Sequence, residues 1–516
     1  MKFKLYFFLL FFVNFTTFWS QSPPIQWQKT LGGSVSDTGK SIRQTQDGGF
    51  IIAGSTSSND GDITGTYGGS DCWVVKLDNS ANIQWQKTYG GTGHDLANDI
   101  QQTSDGGYIF VGYTSSTNGD VTGHHGNADY WVVKIDAFGN IQWQKSLGGI
   151  SYEEATSVQQ TSDGGYIVAG QASSTDLHGD VTGNHGFTDY WVVKLNSSGN
   201  MQWQKSFGGS AHEFAGTIKQ TLDNGYIMSG STSSNNGDVS HNNGNWDYWV
   251  IKIDASGNLV WETALGGSSG DQAFDIVQDQ DGNYVVAGFA LMPNSQFPDS
   301  PGSRDFWIVK LSPLGNVIWE NNFGGNSVDG ANSINLTTDG GYIVGGYTQS
   351  TNGDITHNFG NTDYWVIKLD SAGNLQWQKS LGGSNVDQLY AVKQTSDNGY
   401  IIVGNTMSSD GNVAFNHGGS DIWIVKLGSN LGIEENNSTS KPSLYPNPAK
   451  EFVYIDNLPE KTSVSISDIS GRQLFSNSYN DKKITIDTSS LSNGVYIIKA
   501  ENKGNLILSE KLIIKK

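Results

Sequence analysis

The segment ANDIQQTSDGGYIFVGYTSSTNGDVTGHHGNADYWVVKIDAFGNIQWQKSL, residues 97–147, contains one complete copy of the unit that builds most of this 516-residue chain. Four stretches rich in β-branched and aromatic residues, at 97–103, 108–112, 129–136 and 141–147, predict four strands. Asp-Gly-Gly and Gly-Asn turns join the first pair and the last pair, and a polar loop joins the middle pair. No stretch has a helical period, so the unit is predicted to form one four-stranded sheet.

Two series of tryptophans repeat with this unit. The first series, mostly in the setting Gln-Trp-Gln-Lys, is Trp27, Trp85, Trp143, Trp203, Trp261, Trp319 and Trp377. The second series, mostly in Asp-Tyr-Trp-Val-Val-Lys, is Trp73, Trp131, Trp191, Trp249, Trp307, Trp365 and Trp423. Successive members lie 58 residues apart, except for one interval of 60 in each series. Such a period predicts a repeat architecture in which each unit packs on its neighbours.

The number of units and the two ends of the pattern predict the fold class. Seven units of four strands without helices indicate an all-β, seven-bladed β-propeller over residues 21–428. The pattern begins at residues 25–29 with a fourth strand and ends at 421–427 with a third strand. The N-terminal strand is therefore expected to complete the last blade and to close the propeller.

The remaining segments are assigned by composition. Residues 1–20 carry Lys2 and Lys4 ahead of a short apolar run and are expected to be a signal peptide, with cleavage between Ser20 and Gln21. No later segment is expected to act as a transmembrane anchor. Residues 429–441 form a polar linker, and the short alternating strands within 442–516 predict a small β-sandwich. Cys72 is the only cysteine, which excludes a disulfide framework.

The charge of the chain bears on its partners. The whole chain has a net charge of −20. Residues 1–20 carry +2 and residues 441–516 carry +3, so the net charge of residues 21–440 is −25. An acidic body repels phosphate backbones, and nucleic acid is not an expected partner. We expect a monomer that meets an unknown extracellular ligand.

Acidic residues recur at three positions of every unit: after the Gly-Gly that follows the fourth strand, at the start of the third strand, and in the Asp-Gly-Gly turn. One interpretation of the first two sets is a ring of carboxylates that binds Ca²⁺. The other is structural: each carboxylate bonds loop backbone or pairs with the lysine that recurs in every third strand. The sevenfold repetition favours the structural interpretation.

The long loops carry a further set of acids in an Asn-Gly-Asp setting. These are Asp62, Asp120, Asp180, Asp238 and Asp354. They are candidate Ca²⁺ ligands, and an Asx-type turn explains the same residues. Apart from Ca²⁺, no cofactor is expected, and no catalytic constellation is present in the sequence.

Departures from the repeat identify a candidate ligand site. The fifth long loop, residues 289–304, differs in composition from the other loops and contains Phe289, Met292, Phe297 and Arg304. Trp246 adds an aromatic residue to the adjacent fourth unit. These five residues are candidates for a platform that binds a sugar or a peptide, and neutral drift of one unit is the alternative. The long-loop face is where binding is expected.

The C-terminal segment contains motifs in a recognisable order: Leu-Tyr-Pro-Asn-Pro at 444–448, a Gly-Arg turn at 471–472, Asn-Gly-Val-Tyr at 493–496 and a closing Lys-Leu-Ile-Ile-Lys at 511–515. It resembles the C-terminal sorting domain of type IX secretion cargo from Bacteroidetes. The residues that carry the resemblance are Pro446, Asn447, Pro448, Gly471, Arg472, Gly494, Tyr496 and Lys515. The resemblance implies recognition of residues 442–516 by the type IX machinery, export across the outer membrane, removal of the tail, and release or attachment to the surface.

The repeats themselves are similar to secreted bacterial seven-bladed repeats with Asp-Gly-Gly-Tyr and Asp-x-Trp-Val-Val-Lys. Two functions remain open. The first is a noncatalytic module that binds a polysaccharide or a protein. The second is a hydrolase or lyase that acts on an extracellular polysaccharide with carboxylates at the mouth of the propeller. Since the acids are repeated rather than specific to one unit, the sequence favours binding over catalysis.

Overall fold

The computed structural model describes residues 21–174, 179–291, 304–429, 442–468, 471–502 and 505–516. Within these ranges the regular structure consists of 35 β-strands, which are numbered β1 to β35 along the chain, and no helix is present. The contacts divide the chain into two compact units, Met1–Asn430 and Leu431–Lys516. The all-β class predicted from the sequence is confirmed.

The first unit repeats a pattern of four strands. The first strands are Asp37–Gln44 (β2), Asp95–Gln102 (β6), Glu153–Gln160 (β10), Glu213–Gln220 (β14), Asp271–Gln278 (β18), Asp329–Leu336 (β22) and Asp387–Gln394 (β26). The second strands are Phe50–Thr56 (β3), Tyr108–Thr114 (β7), Tyr166–Ala172 (β11), Tyr226–Thr232 (β15), Tyr284–Leu291 (β19), Tyr342–Thr348 (β23) and Tyr400–Thr406 (β27). The third strands are Asp71–Leu77 (β4), Asp129–Ile135 (β8), Asp189–Leu195 (β12), Asp247–Ile253 (β16), Arg304–Leu311 (β20), Asp363–Leu369 (β24) and Asp421–Leu427 (β28). The fourth strands are Ile25–Leu31 (β1), Ile83–Tyr89 (β5), Ile141–Leu147 (β9), Met201–Phe207 (β13), Leu259–Leu265 (β17), Val317–Phe323 (β21) and Leu375–Leu381 (β25).

These strands form seven four-stranded antiparallel sheets, which we call repeat sheets 1 to 7. Sheets 1 to 6 each use four consecutive strands in the order first-second-third-fourth, starting with β2-β3-β4-β5. In sheet 7 the order is β1-β28-β27-β26, so the N-terminal strand supplies the fourth strand. Its register pairs Thr30 with Trp423 and Leu31 with Ile422. This is the pairing that the interrupted pattern predicts for the two ends of the repeat.

Seven apolar layers lie between neighbouring repeat sheets, and they contain the core of the unit. In the layer between sheets 2 and 3, Val111 and Tyr130 pack with Val168 and Trp191. Another layer joins sheet 7 to sheet 1 and includes Ile424. Each third strand is buried on both faces, because it lies between two such layers. This explains why these strands are continuously apolar rather than alternating.

The first strands contact one another in chain order from β2 to β26, and β2 in turn contacts β26. Hydrogen bonds tie the turns of neighbouring sheets together. The side-chain oxygen of Gln102 accepts a bond of 2.9 Å from the backbone N–H of Gln46, and the oxygen of Gln44 accepts one of 2.8 Å from the N–H of Ser396. The second of these bonds connects sheet 7 to sheet 1.

The two tryptophan series have different environments. The tryptophans of the third strands are fully buried, and the indole N–H of Trp191 donates to the side-chain oxygen of Gln204 at 2.7 Å. That glutamine follows Trp203, a partly buried member of the other series. The tryptophan of one series therefore bonds the glutamine beside a tryptophan of the other series, which joins the third strand to the fourth.

Glycine is required where backbones approach closely within each sheet. A Cβ atom on Gly112 would lie 1.8 Å from the carbonyl oxygen of Leu96, which pairs next to it in β6. Gly106, in the Asp-Gly-Gly turn, has φ of +83°, a conformation that glycine adopts without strain.

The second unit contains two antiparallel sheets. Its strands are Ser443–Tyr445 (β29), Phe452–Asp456 (β30), Thr462–Asp468 (β31), Gln473–Tyr479 (β32), Lys483–Asp487 (β33), Gly494–Asn502 (β34) and Asn505–Ile514 (β35). The sheet orders are β29-β30-β33 and β32-β31-β34-β35. Val453 and Ile486 of the first sheet share one apolar core with Ile466 and Ile498 of the second. In the described residues, no helix is long and apolar enough to span a membrane.

Candidate functional site

The aspartates of the Asp-Gly-Gly turns serve the scaffold. The buried ammonium of Lys194 lies 2.9 Å from the carboxylate of Asp163, and the equivalent lysine-aspartate pair occurs in five other repeats. Repeat 5 differs: its lysine, Lys310, pairs with Asp279 at 2.8 Å rather than with the turn residue Asp281. In these six repeats the recurring lysine therefore pairs with the turn aspartate, and not with the other two acidic sets, which were also candidate partners on the sequence.

The acid that follows each Gly-Gly is buried and bonded to its own loop. Asp95 accepts hydrogen bonds from the backbone of Gly91 at 2.8 Å, from Ser116 Oγ at 2.6 Å and from the hydroxyl of Thr114. Asp271 has the same position in repeat 5, and burial raises its pKa to about 6 against the opposing backbone bonds. These carboxylates hold the connection between one sheet and the next.

The acid that begins each third strand is fully buried as well. Asp189 accepts a bond of 2.7 Å from the backbone N–H of His185, four residues earlier in the long loop. Burial raises the pKa of Asp189 to about 6, although the bonds to His185 oppose the shift. Burial likewise raises the pKa of Asp363, which accepts a backbone bond from Phe359, to about 6. This set fixes the end of the long loop.

The five loop aspartates predicted as Ca²⁺ ligands each contact a glycine of the preceding connection. The Oδ2 atoms of Asp62, Asp120, Asp180, Asp238 and Asp354 accept bonds of 3.2, 3.3, 3.3, 3.1 and 3.0 Å from the N–H groups of Gly32, Gly90, Gly148, Gly208 and Gly324. Across the described residues, no group of three or more His, Cys, Asp or Glu side chains is arranged to hold a metal ion. The contacts seen at these aspartates connect the long loop to the preceding connection between sheets.

The predicted aromatic platform is divided by the structure. Trp246 is half-buried and stacks on Phe214, with ring centroids 4.9 Å apart and an interplanar angle of 17°. His212 lies beside both rings and stacks on Phe187 at 5.1 Å. We call Phe187, His212, Phe214 and Trp246 the aromatic row. It has solvent-facing surface, since Phe187 is 67% exposed.

The other platform candidates do not belong to this row. Phe289 is only 4% exposed, in contrast to the exposure expected from its loop-like sequence, because β19 extends through it. The guanidinium of Arg304 lies 3.8 Å from the centroid of the Phe289 ring and donates to the hydroxyl of Tyr347 at 3.3 Å. Phe289 and Arg304 line an internal cavity, whereas Trp246 does not. Met292 and Phe297 lie outside the described residues.

The first strands of all seven repeat sheets line that cavity, which has a volume of about 420 Å³. The residues at the fourth position of those strands all line it: Lys40, Asn98, Thr156, Gly216, Phe274, Asn332 and Tyr390. No two neighbouring repeats carry the same residue at this position. The sequence reasoning missed the cavity because it followed the invariant positions, whereas alignment of the first strands would have shown this variable one.

The two aspartates of the cavity wall are saturated with partners. Asp99 accepts bonds of 2.8 Å from both Ser41 Oγ and the guanidinium of Arg43. Asp275 accepts from Thr217 at 2.8 Å and from the backbone of Ile334 at 3.0 Å. Burial opposes the ionisation of Asp275, but nearby lysines and these bonds outweigh it and lower its pKa. The lowered pKa of Asp275 is the reverse of the elevation expected of a general acid.

Two lysines of the cavity have pKa values below the usual range of a lysine. Burial, together with the positive charges of Arg43 and Lys219, lowers the pKa of Lys393 to about 7. Burial also lowers the pKa of Lys40 to about 8, and its ammonium lies 3.6 Å from the centroid of the Tyr390 ring. The cavity thus combines partly desolvated cations with aromatic faces.

The residues named for the sorting signal pin the second unit together. Asn447 donates to the carbonyl of Lys511 and accepts from the N–H of Ile513, which attaches the Pro446–Pro448 segment to β35. Gly471 has φ of +88° in the turn before Arg472, whose side chain pairs with Asp468 at 3.1 Å. The remaining members lie in the same framework: Gly494 begins β34, Tyr496 donates to the carbonyl of Ser492, and the N–H of Lys515 donates to Ala449.

A family model described as a secretion system C-terminal sorting domain matches residues 443–515. This domain is that of type IX secretion, so the protein is exported to the cell surface or secreted. The match covers the second unit.

One curated relative aligns with part of the chain. The regulatory protein FlaEY of Caulobacter vibrioides is 27% identical over 191 residues, which are 34% of this chain and 20% of that protein. The chain thus spans about a fifth of the length of this relative.

Two solved structures resemble the chain at low identity. Sqt1 from Chaetomium thermophilum is 12% identical, with coverage of 78% of this chain and 100% of that one and a TM-score of 0.40. PorZ, a surface component of the type IX secretion system of Porphyromonas gingivalis, is 9% identical, with coverage of 96% and 86% and a TM-score of 0.18. Since both scores are below 0.5, the fold rests on the strand pairing described above.

Proposed function

We propose that this protein is a cargo of the type IX secretion system of a Bacteroidetes bacterium, and that its first unit is a closed seven-bladed β-propeller that binds an extracellular ligand without catalysing a reaction. One observation carries the proposal: the fourth position of the first strand, whose residue differs between neighbouring repeats, lines a single cavity in all seven repeats. The repeated acids, in contrast, are engaged in scaffold contacts. Residues freed from the scaffold pattern and gathered in a concave site are those available for a ligand.

Closure of the propeller is supported by contacts between its ends. The seventh sheet is completed by β1, its turn donates to Gln44 of the first sheet, and an apolar layer lies between the two sheets. The first strand of sheet 7, β26, also contacts the first strand of sheet 1, β2. A closed ring leaves no open sheet face at either end of the array.

A polysaccharide or a protein is the proposed class of ligand. The aromatic row offers stacked rings with exposed surface, which suit the apolar faces of sugar rings and the side chains of peptides. The cavity adds further rings, Phe274 and Tyr390, among amide and hydroxyl groups. Its volume of about 420 Å³ is within the range of roughly 300–1,000 Å³ found for small-molecule sites.

A hydrolase or lyase is the alternative function. The hydrogen bonding of the carboxylates in the cavity argues against it. General acid-base chemistry requires a carboxyl group free to exchange a proton with the substrate. Asp99 and Asp275 are each held by several donors, and Glu154 is bonded by Asn98 at 3.0 Å and by Gln171 at 3.1 Å. These interactions favour a binding role for the cavity.

The ligand is tested with a glycan and peptide array probed with the full chain, with and without EDTA. We expect binding to at least one glycan or peptide family, and loss of that binding in Tyr390→Ala or in Trp246→Ala. Phe138→Ala, at an exposed turn residue outside both sites, is the matched control. Failure to bind any member of the array would refute the binding proposal. An EDTA-sensitive thermal stability would revive the Ca²⁺ interpretation of the loop aspartates.

Delivery is tested separately in the producing cell. The second unit, whose two sheets share one core, is proposed to be a β-sandwich that the type IX machinery recognises and then removes. A chain truncated after residue 441 should accumulate in the periplasm, whereas the full chain reaches the surface or the medium. Normal export of the truncated chain would refute this role. Light scattering of the exported protein tests the expectation that it is a monomer.

A further inference from the structure

The cavity has a charge opposite to that of the body around it. Its lining includes five cations, Lys40, Arg43, Lys219, Arg304 and Lys393, and three acids, Asp99, Glu154 and Asp275. The residues between 21 and 440 nevertheless carry a net charge of −25. A cationic cavity attracts an anion even though the acidic surface of the protein repels it. The charge of the cavity therefore indicates an anionic ligand.

Three of the cations share one level of the cavity. Arg43, Lys219 and Lys393 each occupy the seventh position of their strands, β2, β14 and β26. The other repeats carry uncharged residues there: Gln101, Gln159, Val277 and Asn335. We call Arg43, Lys219 and Lys393 the basic cluster. Because the seventh position lies one residue before the end of each first strand, the cluster is near the tight-turn end of the cavity.

The protein itself neutralises this cluster only in part. Arg43 is paired with Asp99 at 2.8 Å. Among the described residues, neither a hydrogen bond nor an ion pair within 4.0 Å engages the ammonium group of Lys219 or Lys393, and both side chains border the cavity. A partly buried ammonium group without a bonded partner is costly, and an anion in the cavity would supply the missing partner.

We propose that the basic cluster binds the carboxylate or sulfate group of an acidic saccharide that occupies the cavity. This inference rests on the proposed binding function and specifies its ligand. The rest of the wall suits a sugar: the rings of Phe274 and Tyr390 provide stacking faces, and Asn332 and Gln388 provide amides that both donate and accept. An acidic peptide also carries an anionic group. It lacks the sugar ring that would use both the aromatic faces and the amide groups of this wall.

The same site makes binding depend on pH. The charged groups that face Lys393 are Arg43, Lys219, Asp99 and Asp275. Burial and the two cations hold the pKa of Lys393 at about 7, so the free protein loses this charge as the pH rises from 6 to 8. A bound anion favours the protonated lysine, and affinity for an acidic ligand should therefore be higher at pH 6 than at pH 8.5.

The test compares defined oligomers by titration calorimetry on the full chain. The probes are a galacturonate hexamer, a sulfated hexasaccharide derived from heparin, a neutral galactose hexamer and a hexamer of glutamate. We expect one of the two acidic saccharides to bind at least about tenfold more tightly than the neutral hexamer, since charge-assisted bonds are roughly twice as strong as neutral ones. Which acidic saccharide binds identifies the source of the anion.

Variants connect the effect to the cluster. Lys393→Met and Lys219→Met should each weaken binding of the acidic saccharide by about tenfold or more, and they should affect binding of a neutral array ligand less. Lys205→Met, an exposed lysine of β13 outside the cavity, should change neither. Unchanged melting temperatures show that the variants are folded. Lys393→Met should also reduce the preference for pH 6 over pH 8.5, and the part that remains is expected from Lys40, whose pKa is lowered to about 8.

The outcomes separate this proposal from the broader one. If a neutral ligand from the array binds but no acidic saccharide is preferred, or if the variants have no effect, the anion site is overturned and the binding function stands. Tighter binding of the glutamate hexamer than of either acidic saccharide overturns the saccharide in favour of an acidic peptide. If the array gives no ligand at all, the binding function itself fails.

Discussion

The indole N–H of Trp423 donates a hydrogen bond of 2.8 Å to the side-chain oxygen of Gln28, across 395 residues of sequence. In sheets 1 to 3 the same bond joins residues only 13 apart, as between Trp131 and Gln144 at 2.9 Å. The N-terminal strand thus reproduces, in the seventh sheet, the contact that the fourth strand makes elsewhere. The position of Gln28 shows that β1 serves as the fourth strand of sheet 7.

Deletion of residues 25–31 should therefore destabilise the whole first unit. The deletion exposes the edge of β28 and removes Leu31, which is fully buried. We expect the midpoint of thermal unfolding to fall by about 10 °C or more, together with aggregation through the open edge. The control is a permuted chain that carries residues 25–31 after Leu427, joined through the turn sequence of residues 136–140. If both chains unfold like the wild type, β1 does not seal the seventh sheet.

The two tryptophan series should differ in their contribution to stability. Trp191 is fully buried in an apolar layer, whereas Trp203 is only partly buried. Trp191→Ala should lower the free energy of unfolding by about 3–5 kcal/mol, since it leaves a large cavity. Trp203→Ala, the matched control, should cost less than half as much. Equal losses in urea unfolding would contradict the assignment of the core to the third strands.

Repeat 5 allows a direct test of the lysine-aspartate pairs. Asp279→Asn removes the carboxylate that pairs with the largely buried Lys310, and it should lower the free energy of unfolding by about 1.5–3 kcal/mol. Asp281→Asn changes the Asp-Gly turn residue without touching that pair, and we expect an effect within about 0.5 kcal/mol. The sequence pattern alone predicts the reverse order, because it places Asp281 at the repeated position.

Stability should have a maximum on the acidic side of neutrality. Burial raises the pKa values of Asp189, Asp271 and Asp363 to about 6, above the value of about 3.9 for an unfolded aspartate. Their contribution is full below pH 4 and is lost as the pH rises through 6. The turn aspartates Asp105 and Asp163 behave oppositely: lysine and threonine bonds outweigh burial and lower their pKa values to about 2, so their contribution is lost between pH 4 and 2.

Urea unfolding between pH 2.5 and 8 at constant ionic strength measures this profile. We expect the free energy of unfolding to peak between pH 4 and 5. Asp189→Asn, which cannot titrate, should flatten the decline between about pH 4 and 6, while Asp136→Asn at an exposed turn should not. A stability that increases steadily up to pH 8 would contradict the assignment of the buried aspartates.

Much of the scaffold was predictable because local patterns encode it. The four strands expected for residues 97–147 agree with β6 to β9 within two residues at each end. The Asp-Gly turns and the alternation of polar and apolar residues depend on neighbours in sequence, and hydrogen bonding within a sheet preserves that order. The same alternation predicts short strands within residues 442–516, where the structure has the seven strands β29 to β35.

The candidate site was predictable only in part. Trp246 was identified as an addition to the repeat, and it lies in an exposed aromatic row with Phe214. Phe289 has the sequence context of a loop, but pairing of β19 with β20 continues through it and turns its ring toward the cavity. In repeat 5 Lys310 pairs with Asp279 rather than with Asp281, because Asp279 stands where the other repeats have a threonine, such as Thr103, at the start of a turn of the same length.

The sequence by itself determined the all-β class, the 58-residue period, the strands of each unit and the pairing of β1 with β28, because each follows from local alternation and from the count of strands at the two ends. Only the tertiary structure decided that Arg43, Lys219 and Lys393 line one cavity. They are far apart in the chain, belong to three different sheets and form no motif. Their proximity arises when the packed layers turn the seven first strands toward one another, and side chains that bind a common ligand need to meet only in space.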